Sequence, residues 1–266
     1  TTLFRSMCRF DPKIHVVIEG AEFADYFWPA VEQYVECTHE YWRSNGKFVP
    51  NIVLRLASGG YIGGGLYHSQ NIEGALATLP GARIVCPSFA DDAAGLLRTA
   101  MRSRGFTLYL EPKALYNSVE ASSVVPEEFE VPFGKARIRR EGTDLSMITY
   151  GNTTHFCLNV AERLAQEGWS VEVIDLRSLI PLDKETIYAS VKKTSKALVV
   201  HEDKVFSGFG AEIAAGIGTE LFRYLDAPVQ RVGSVFTPVG FHPILEKAIL
   251  PTEDKIYDAA RTLLEY

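Results

Sequence analysis

Short apolar runs alternate with longer amphipathic segments along the first part of the chain. The runs Asn51 to Leu56, Arg83 to Cys86 and Thr107 to Glu111 are typical of buried strands, and His15 to Ile18 is strand-like as well. The segment from Asp91 to Arg102 places its apolar residues on one helical face, which predicts a crossover helix between strands. The pattern indicates an α/β domain.

A second run of the same kind follows residue 140. Helices are predicted near residues 154–167, 183–193 and 208–224, with apolar strands between them. Strands and helices in alternation favour a mostly parallel sheet with helices on its faces. The predicted strands of this second domain are Leu145 to Tyr150, Val171 to Asp175, Ala197 to Val200 and Val229 to Val232.

The two runs are separated by a stretch rich in serine, proline and acidic residues, which includes Pro126 and Pro132. We therefore predict a first domain over residues 1–116, a linker over residues 117–140 and a second domain over residues 141–266. Within the linker, the basic run from Lys135 to Arg140 is interpreted as a solvated strand edge. The first domain has fewer elements than a doubly wound domain of usual size, so we expect further elements upstream.

Composition narrows the class of protein. The chain has 266 residues, 47% of them hydrophobic and 23% charged, with a net charge of −6. This balance argues against nucleic acid and anionic membranes as principal partners. No apolar run approaches the roughly 20 residues of a transmembrane helix and no signal-peptide core is seen, so we expect a cytosol-like compartment. The four cysteines are far apart, which favours buried, reduced thiols.

A glycine-rich segment carries the strongest candidate for chemistry. Five of the seven residues from Gly59 to Gly65 are glycine, and His68 follows them. Such a flexible loop allows close approach to a ligand, and a histidine beside it is a candidate acid or base. The structural alternative is that His68 caps the following helix. Ser69 and Gln70 are expected to orient the turn.

Several motifs occur in an order and spacing that resemble one family, and the similarity covers nearly all of the chain from about residue 16 onward. The motifs are Glu22 to Ala30, Tyr41 to Ser44, the glycine loop with His68 to Gln70, Leu110 to Tyr116, Val173 to Asp183, His201-Glu202, Gly208 to Ile213 and Thr237-Pro238. With them the chain resembles the β subunit, or the C-terminal β half of a fused α/β chain, of the thiamine-diphosphate-dependent E1 component of 2-oxo acid dehydrogenase complexes, truncated at its N-terminus.

The resemblance implies an α/β fold made of a truncated transketolase-like pyrimidine-binding domain and a transketolase C-terminal-type domain. It implies oxidative decarboxylation of a 2-oxo acid, with acyl transfer to the lipoyl group of an E2 chain. Pyruvate and branched-chain acids both remain open as substrates. The implied partners are an E1 α subunit or fused α half, a second β chain and E2, and the fragment is expected to be inactive alone. The compartment would be the cytoplasm of a bacterium or the mitochondrial matrix of a eukaryote.

The same resemblance suggests roles for two side chains. His68 matches the histidine at the entrance to the reacting carbon, where it can move protons during acyl transfer. Tyr26 lies where the family places an aromatic ring against the aminopyrimidine of the cofactor, although a core position is the structural alternative. The activating glutamate of the family lies upstream, and neither Glu19 nor Glu22 is assigned to that role. The resemblance also implies that the site for the diphosphate and magnesium lies on the α part.

Relatives also bind potassium in a turn that corresponds to Ile52, Ala100 and Met101, largely through backbone carbonyls. This chain has Ser103 and Gly105 where an aspartate and an asparagine are usual. The change removes the anionic ligand that a hard cation favours. A potassium site is therefore an expectation with a plain structural turn as its alternative.

In the second domain, His201-Glu202-Asp203 ends a predicted strand and faces a glycine turn at a helix start. That arrangement suggests an anion site. The resemblance implies that this domain serves dimerisation and E2 docking, so the turn is interpreted as packing and nearby acidic residues as docking contacts. Two rival functions stay open: another thiamine-diphosphate enzyme of the transketolase group, and a docking module without catalysis.

Overall fold

The computed structural model describes residues 2–266, apart from the side chains of residues 2, 21 and 22. Within them, the strands are β1 Val16–Phe23, β2 Ile52–Ser58, β3 Ala82–Val85, β4 Phe106–Pro112, β5 Arg137–Arg140, β6 Leu145–Thr149, β7 Val171–Asp175, β8 Ser178–Ile180, β9 Ala197–Lys204 and β10 Gln230–Ser234. The α-helices are α1 Thr2–Phe10, α2 Val31–Thr38, α3 Glu40–Arg43, α4 Glu73–Leu76, α5 Ala90–Arg102, α6 Thr153–Ala165, α7 Lys184–Thr194, α8 Gly210–Glu220, α9 Pro243–Ile249 and α10 Glu253–Leu264. They confirm the predicted α/β class.

The strands form two sheets. The first has the order β1-β2-β4-β3-β8 and the second has the order β10-β9-β6-β7-β5. In each sheet four strands are parallel, and the fifth, β8 or β5, is antiparallel at one edge. The apolar runs that predict strands become the buried central strands, because helices cover both faces of a parallel sheet.

The two domains share structure across their boundary. Strand β8 comes from the second half of the sequence, yet it pairs with β3 of the first sheet, with Ile180 opposite Ile84. One continuous apolar core also joins the halves, since Leu108 of the first sheet and Ile187 of α7 belong to the same cluster. The carboxyl ends of β6 and β9 also lie against the first domain between β2 and β3, where Tyr150 bonds to Glu73 and Glu202 bonds to Gly60.

The predicted linker over residues 117–140 is too long at its end. Residues 137–140 form β5, an edge strand of the second sheet that pairs with β7. The basic run there is only partly solvated, because Arg139 turns inward and its side chain is 8% exposed. Sequence alone gives no sign of this, since the partners that draw Arg139 inward lie in distant segments.

A buried ion network explains the position of Arg139. Asp92, at the start of α5, pairs with Arg139 and accepts a hydrogen bond from Arg177 Nη1 at 2.7 Å. Asp175, at the end of β7, accepts from Arg139 Nη2 at 2.7 Å and from Ser88 Oγ at 2.9 Å. Two carboxylates balance two guanidinium groups, so charge is compensated where the domains meet.

Two further expectations concern the state of the cysteines and the presence of a transmembrane helix. All four cysteines are free and buried, as predicted. None of the helices formed by residues 2–266 has the length and apolarity needed to cross a membrane.

Candidate active site

Three connections of the first domain meet at one edge of its sheet. A short 3-10 helix from Ala24 to Ala30 follows β1, the glycine loop follows β2, and Lys113 follows β4. The three strands are parallel neighbours, so their carboxyl ends lie at the same edge. Ligand sites of open α/β sheets form at such an edge.

His68 and Tyr26 lie together there. The Tyr26 hydroxyl and His68 Nε2 are 3.2 Å apart, within hydrogen-bond distance. The Phe23 ring packs edge-on against the imidazole, with 4.7 Å between ring centroids. His68 is half-buried, and the Tyr26 side chain is 48% exposed. The structure thus brings together the two side chains that the sequence singles out, and it leaves one ring open to a ligand.

His68 does not cap the following helix. Helix α4 begins after Ile72, and no side chain caps its first turn. Gln70 instead fixes the turn, because its amide donates to Asp25 Oδ1 at 3.0 Å and its side chain donates to the carbonyl of Leu66 at 3.1 Å. The orienting role expected of Gln70 agrees with these contacts.

Lys113 is a site residue that the sequence alone does not reveal. Its Nζ donates to the His68 carbonyl at 2.7 Å and lies 4.3 Å from the centre of the Phe23 ring. Burial lowers the pKa of Lys113 to about 8. The ammonium group is thus enclosed between a carbonyl and an aromatic face, where it holds the backbone of His68.

The glycine loop is held in place by carboxylates of the second domain. Glu202 accepts a hydrogen bond from the amide of Gly60. Glu246 Oε1 accepts from the amides of Ile62 and Gly63, each at 3.2 Å. A loop that its composition predicts as flexible therefore has its backbone donors bound at several points.

Three carboxyl groups meet where the glycine loop contacts β9. Burial, aided by the neighbouring Asp203, raises the pKa of Glu73, whose Oε1 accepts a hydrogen bond from the Tyr150 hydroxyl at 3.0 Å. Burial also raises the pKa of Glu202 to about 7, and it raises the pKa of Asp203. The proton count of this cluster therefore changes near neutral pH.

The anion site suggested at His201-Glu202-Asp203 is not formed, whereas the interpretation of the glycine turn as packing agrees with the structure, because His201 lies against Gly208 and Gly210. Glu202 is 6% exposed and Asp203 is 5% exposed, so neither carboxylate is available at the surface to a partner. The amide of Phe209, at the start of α8, is bound by the Asp203 carboxylate. The chain's own carboxylate thus occupies the position that an anion would take.

The residues proposed for potassium come from two separate elements. Ile52 lies in β2, while Ala100 and Met101 lie in the last turn of α5. Ser103 and Gly105 supply no carboxylate, and among the described residues no group of three or more metal-binding side chains is found. A guanidinium group, from Arg83, already donates to the carbonyl of Arg104 at 2.7 Å. Potassium binding stays a prediction, and no step below depends on it.

The sheet edge has an aromatic surface suited to the pyrimidine end of thiamine diphosphate. The half-exposed Tyr26 ring offers a flat face beside His68. The described residues contain no carboxylate and histidine cluster suited to magnesium. Glu19 is an exposed residue whose carboxylate lies 3.9 Å from Arg55, and the side chain of Glu22 lies outside the described residues.

Fold and site together define a protein with transketolase-like domains. The family described as "Transketolase, pyrimidine binding domain" matches residues 13–119, and "Transketolase, C-terminal domain" matches residues 134–256. A solved structure, a split-gene transketolase described as an inactive β4 tetramer, superposes with a TM-score of 0.68. The two sequences are 22% identical, and the match covers 94% of this chain and 75% of that one. This similarity shows that the two chains share a fold.

Closer relatives define the family within that class. The 2-oxoisovalerate dehydrogenase subunit β of Bacillus subtilis is 40% identical over 94% of this chain and 76% of that protein. The mitochondrial 2-oxoisovalerate dehydrogenase subunit β 2 of Arabidopsis thaliana is 38% identical, over 94% of this chain and 70% of that protein. The pyruvate dehydrogenase E1 subunit β of B. subtilis is 39% identical, over 85% of this chain and 69% of that protein. The chain belongs to the family of E1 β subunits of 2-oxo acid dehydrogenases.

The raised pKa of Glu202 should make the free energy of unfolding depend on pH. The buried group keeps its proton up to about pH 7, whereas the ordinary value is 4.5. Between these values the native state binds more protons than the unfolded state, so the contribution of Glu202 to stability falls as pH rises. Glu202→Gln keeps an oxygen acceptor for Gly60 and does not titrate. We expect the variant to gain on the order of 3 kcal/mol relative to wild type between pH 4.5 and 8.

Denaturant unfolding across that pH range measures the gain. The exposed Glu265→Gln serves as the control and is expected to run parallel to wild type. Lys113 lowers the pKa of Glu202, while Asp203 and Glu246 raise it, so all three side chains stay unchanged in the comparison. Parallel curves for Glu202→Gln and wild type would show that this carboxyl titrates normally.

Proposed function

We propose that this chain supplies the pyrimidine-side half of an E1 active site, with His68 as its proton-transfer group. The observation that supports this proposal is the contact between His68 and Tyr26 at the carboxyl edge of the first sheet. The reaction is oxidative decarboxylation of a 2-oxo acid of the pyruvate or branched-chain type, with acyl transfer to a lipoyl group. Relatives of both types are similar to this chain.

Thiamine diphosphate, when bound, supplies the nucleophilic carbon and the electron sink that decarboxylation needs. The protein's part is to orient groups, exclude water and move protons. Tyr26 anchors Nε2 of His68, and Lys113 holds the backbone carbonyl of the same residue. Within the described residues, Nδ1 of His68 has no hydrogen-bond partner, so this atom is free to exchange a proton with the acyl acceptor.

The rest of the site belongs to other chains in this proposal. An E1 α subunit, or a fused α half, supplies the diphosphate and magnesium site, so the chain is inactive alone. A second β chain completes the assembly, and E2 provides the lipoyl group. The compartment is the bacterial cytoplasm or, in a eukaryote, the mitochondrial matrix.

Two substitutions of Tyr26 separate its hydroxyl from its ring. In the assembled E1, Tyr26→Phe is expected to lower kcat for lipoyl acylation about 3- to 10-fold, because one hydrogen bond to His68 is lost. Cofactor affinity is expected to stay within twofold, since the ring remains. Tyr26→Ala removes the ring as well and is expected to weaken thiamine diphosphate binding by about tenfold.

Acylation of a lipoyl domain and cofactor titration are measured on the same samples. Tyr41→Phe and Tyr41→Ala are suitable controls, because Tyr41 is comparably exposed and lies on α3, away from this edge. Equal cofactor affinity in Tyr26→Ala and wild type would rule out the ring contact. Failure of the wild-type assembly to acylate a lipoyl domain would contradict the proposed function itself.

A further inference from the structure

The segment from residue 59 to residue 74, here called the histidine segment because it carries His68, is bound by consecutive residues at the end of β9. Glu202 accepts a hydrogen bond from the amide of Gly60 near the start of the segment. Lys204 Nζ donates to Gln70 Oε1 at 2.9 Å, two residues beyond the histidine. One strand end of the second domain thus contacts the segment on both sides of His68.

Asp203, between these two residues, contacts the far end of the same segment. The Asp203 carboxylate is stabilised by hydrogen bonding from the amide of Gly74. Glu246, from α9, adds the two bonds to Ile62 and Gly63. The second domain therefore reaches the beginning, the middle and the end of the histidine segment.

Glycine stands where the carboxylates come closest to the backbone. A Cβ atom at Gly59 would lie 2.5 Å from Glu202 Oε1, and one at Gly74 would lie 2.5 Å from Asp203 Oδ2. Either distance is too short for two non-bonded atoms, so a larger residue would push the carboxylate away. Gly59 also has φ +86°, which disfavours other residues. These glycines thus permit the contacts with β9.

Contacts from the first domain reach the part of the segment around the histidine. Lys113 binds the carbonyl of His68 and Asp25 binds the amide of Gln70. The glycine-rich part before the histidine is bound by Glu202 and Glu246. Because glycine has the largest backbone freedom, this part is the one that most needs external contacts to keep a single conformation.

We propose that the second domain positions the catalytic histidine, with Glu202, Asp203, Lys204 and Glu246 acting as positioning residues. This inference rests on the proposed function of His68 and gives the second domain a part in the chemistry beyond assembly. A misplacement of about 1 Å can cost up to about 100-fold in rate, so loss of these contacts slows acyl transfer without removing any reacting group.

The two least buried positioning residues provide the test. In the assembled E1, Glu246→Ala is expected to speed hydrogen exchange at the amides of Ile62 and Gly63 by about tenfold and to lower kcat for lipoyl acylation about 3- to 10-fold. KM for the 2-oxo acid and cofactor affinity are expected to stay unchanged. Glu246→Gln keeps an acceptor oxygen and restores both readouts. Lys204→Met, which removes the bond to Gln70, is expected to lower kcat in the same way.

Glu265→Ala, at an exposed acidic residue of the same domain, is the matched control and is expected to change neither readout. Faster exchange with unchanged kcat in Glu246→Ala would overturn the positioning role, and so would unchanged exchange. Failure of the proposed function is distinguishable, because it appears as normal acyl transfer in His68→Ala, whatever the exchange rates in the loop.

Discussion

Replacing His68 by alanine is expected to lower the rate of lipoyl acylation by the assembled E1 by about 10²- to 10⁴-fold, the usual contribution of a positioned acid or base. The half-buried imidazole packs against Phe23 and bonds to Tyr26 at a sheet edge, so its removal leaves the core intact. Decarboxylation measured with an artificial electron acceptor is expected to fall much less, because that assay bypasses transfer to the lipoyl group.

The matched control is His15→Ala. His15 is exposed just before β1, at the opposite edge of the same sheet, and the substitution is expected to leave both rates unchanged. Single-turnover acylation of a lipoyl domain measures the effect. A rate for His68→Ala within a factor of two of wild type would remove the histidine from the mechanism.

Of the substitutions considered for this chain, Asp92→Ala is expected to lower the free energy of unfolding most, by about 3–5 kcal/mol. Asp92 is fully buried and pairs with both Arg139 and Arg177. Its removal leaves Arg139 with Asp175 as its remaining carboxylate partner and takes away the carboxylate with which Arg177 pairs. Leaving a buried charge without a partner costs far more free energy than breaking an exposed ion pair, because water cannot solvate the buried group.

Asp254→Ala is the control for this prediction. Asp254 forms a solvent-exposed pair with Arg163 at 3.7 Å, and its loss is expected to cost no more than about 1 kcal/mol. Denaturant unfolding of both variants gives the comparison. Equal losses for the two variants would mean that the Asp92 network does not stabilise the junction between the domains.

The sequence predicts the central strands well because their apolar runs are continuous. Val171 to Asp175 is predicted with the bounds that β7 has in the structure. The antiparallel edge strand β8 is not predicted, because it lacks such a run. Strand β8 is three residues long and pairs with β3 from the other half of the chain, so nothing near it in sequence marks it.

The site is predictable where its residues lie close in sequence to a motif, and unpredictable where partners are distant. His68 is found from the glycine loop before it, and Tyr26 from the motif at Glu22 to Ala30 that carries the family resemblance. Glu202 resembles a surface acid in sequence, because its partner, the Gly60 amide, lies 142 residues away. Lys113 is not predicted as a site residue, because its buried position depends on distant partners, the Phe23 ring and the backbone of the histidine turn.

The central claim is that this chain supplies one half of a cofactor site whose other half lies on an α partner. Calorimetric titration with magnesium and thiamine diphosphate, of the chain alone and of the chain mixed with the α partner, tests it most directly. We predict no binding by the chain alone and stoichiometric binding by the mixture. Tight binding by the chain alone would contradict the claim, because it would require a diphosphate site within this chain.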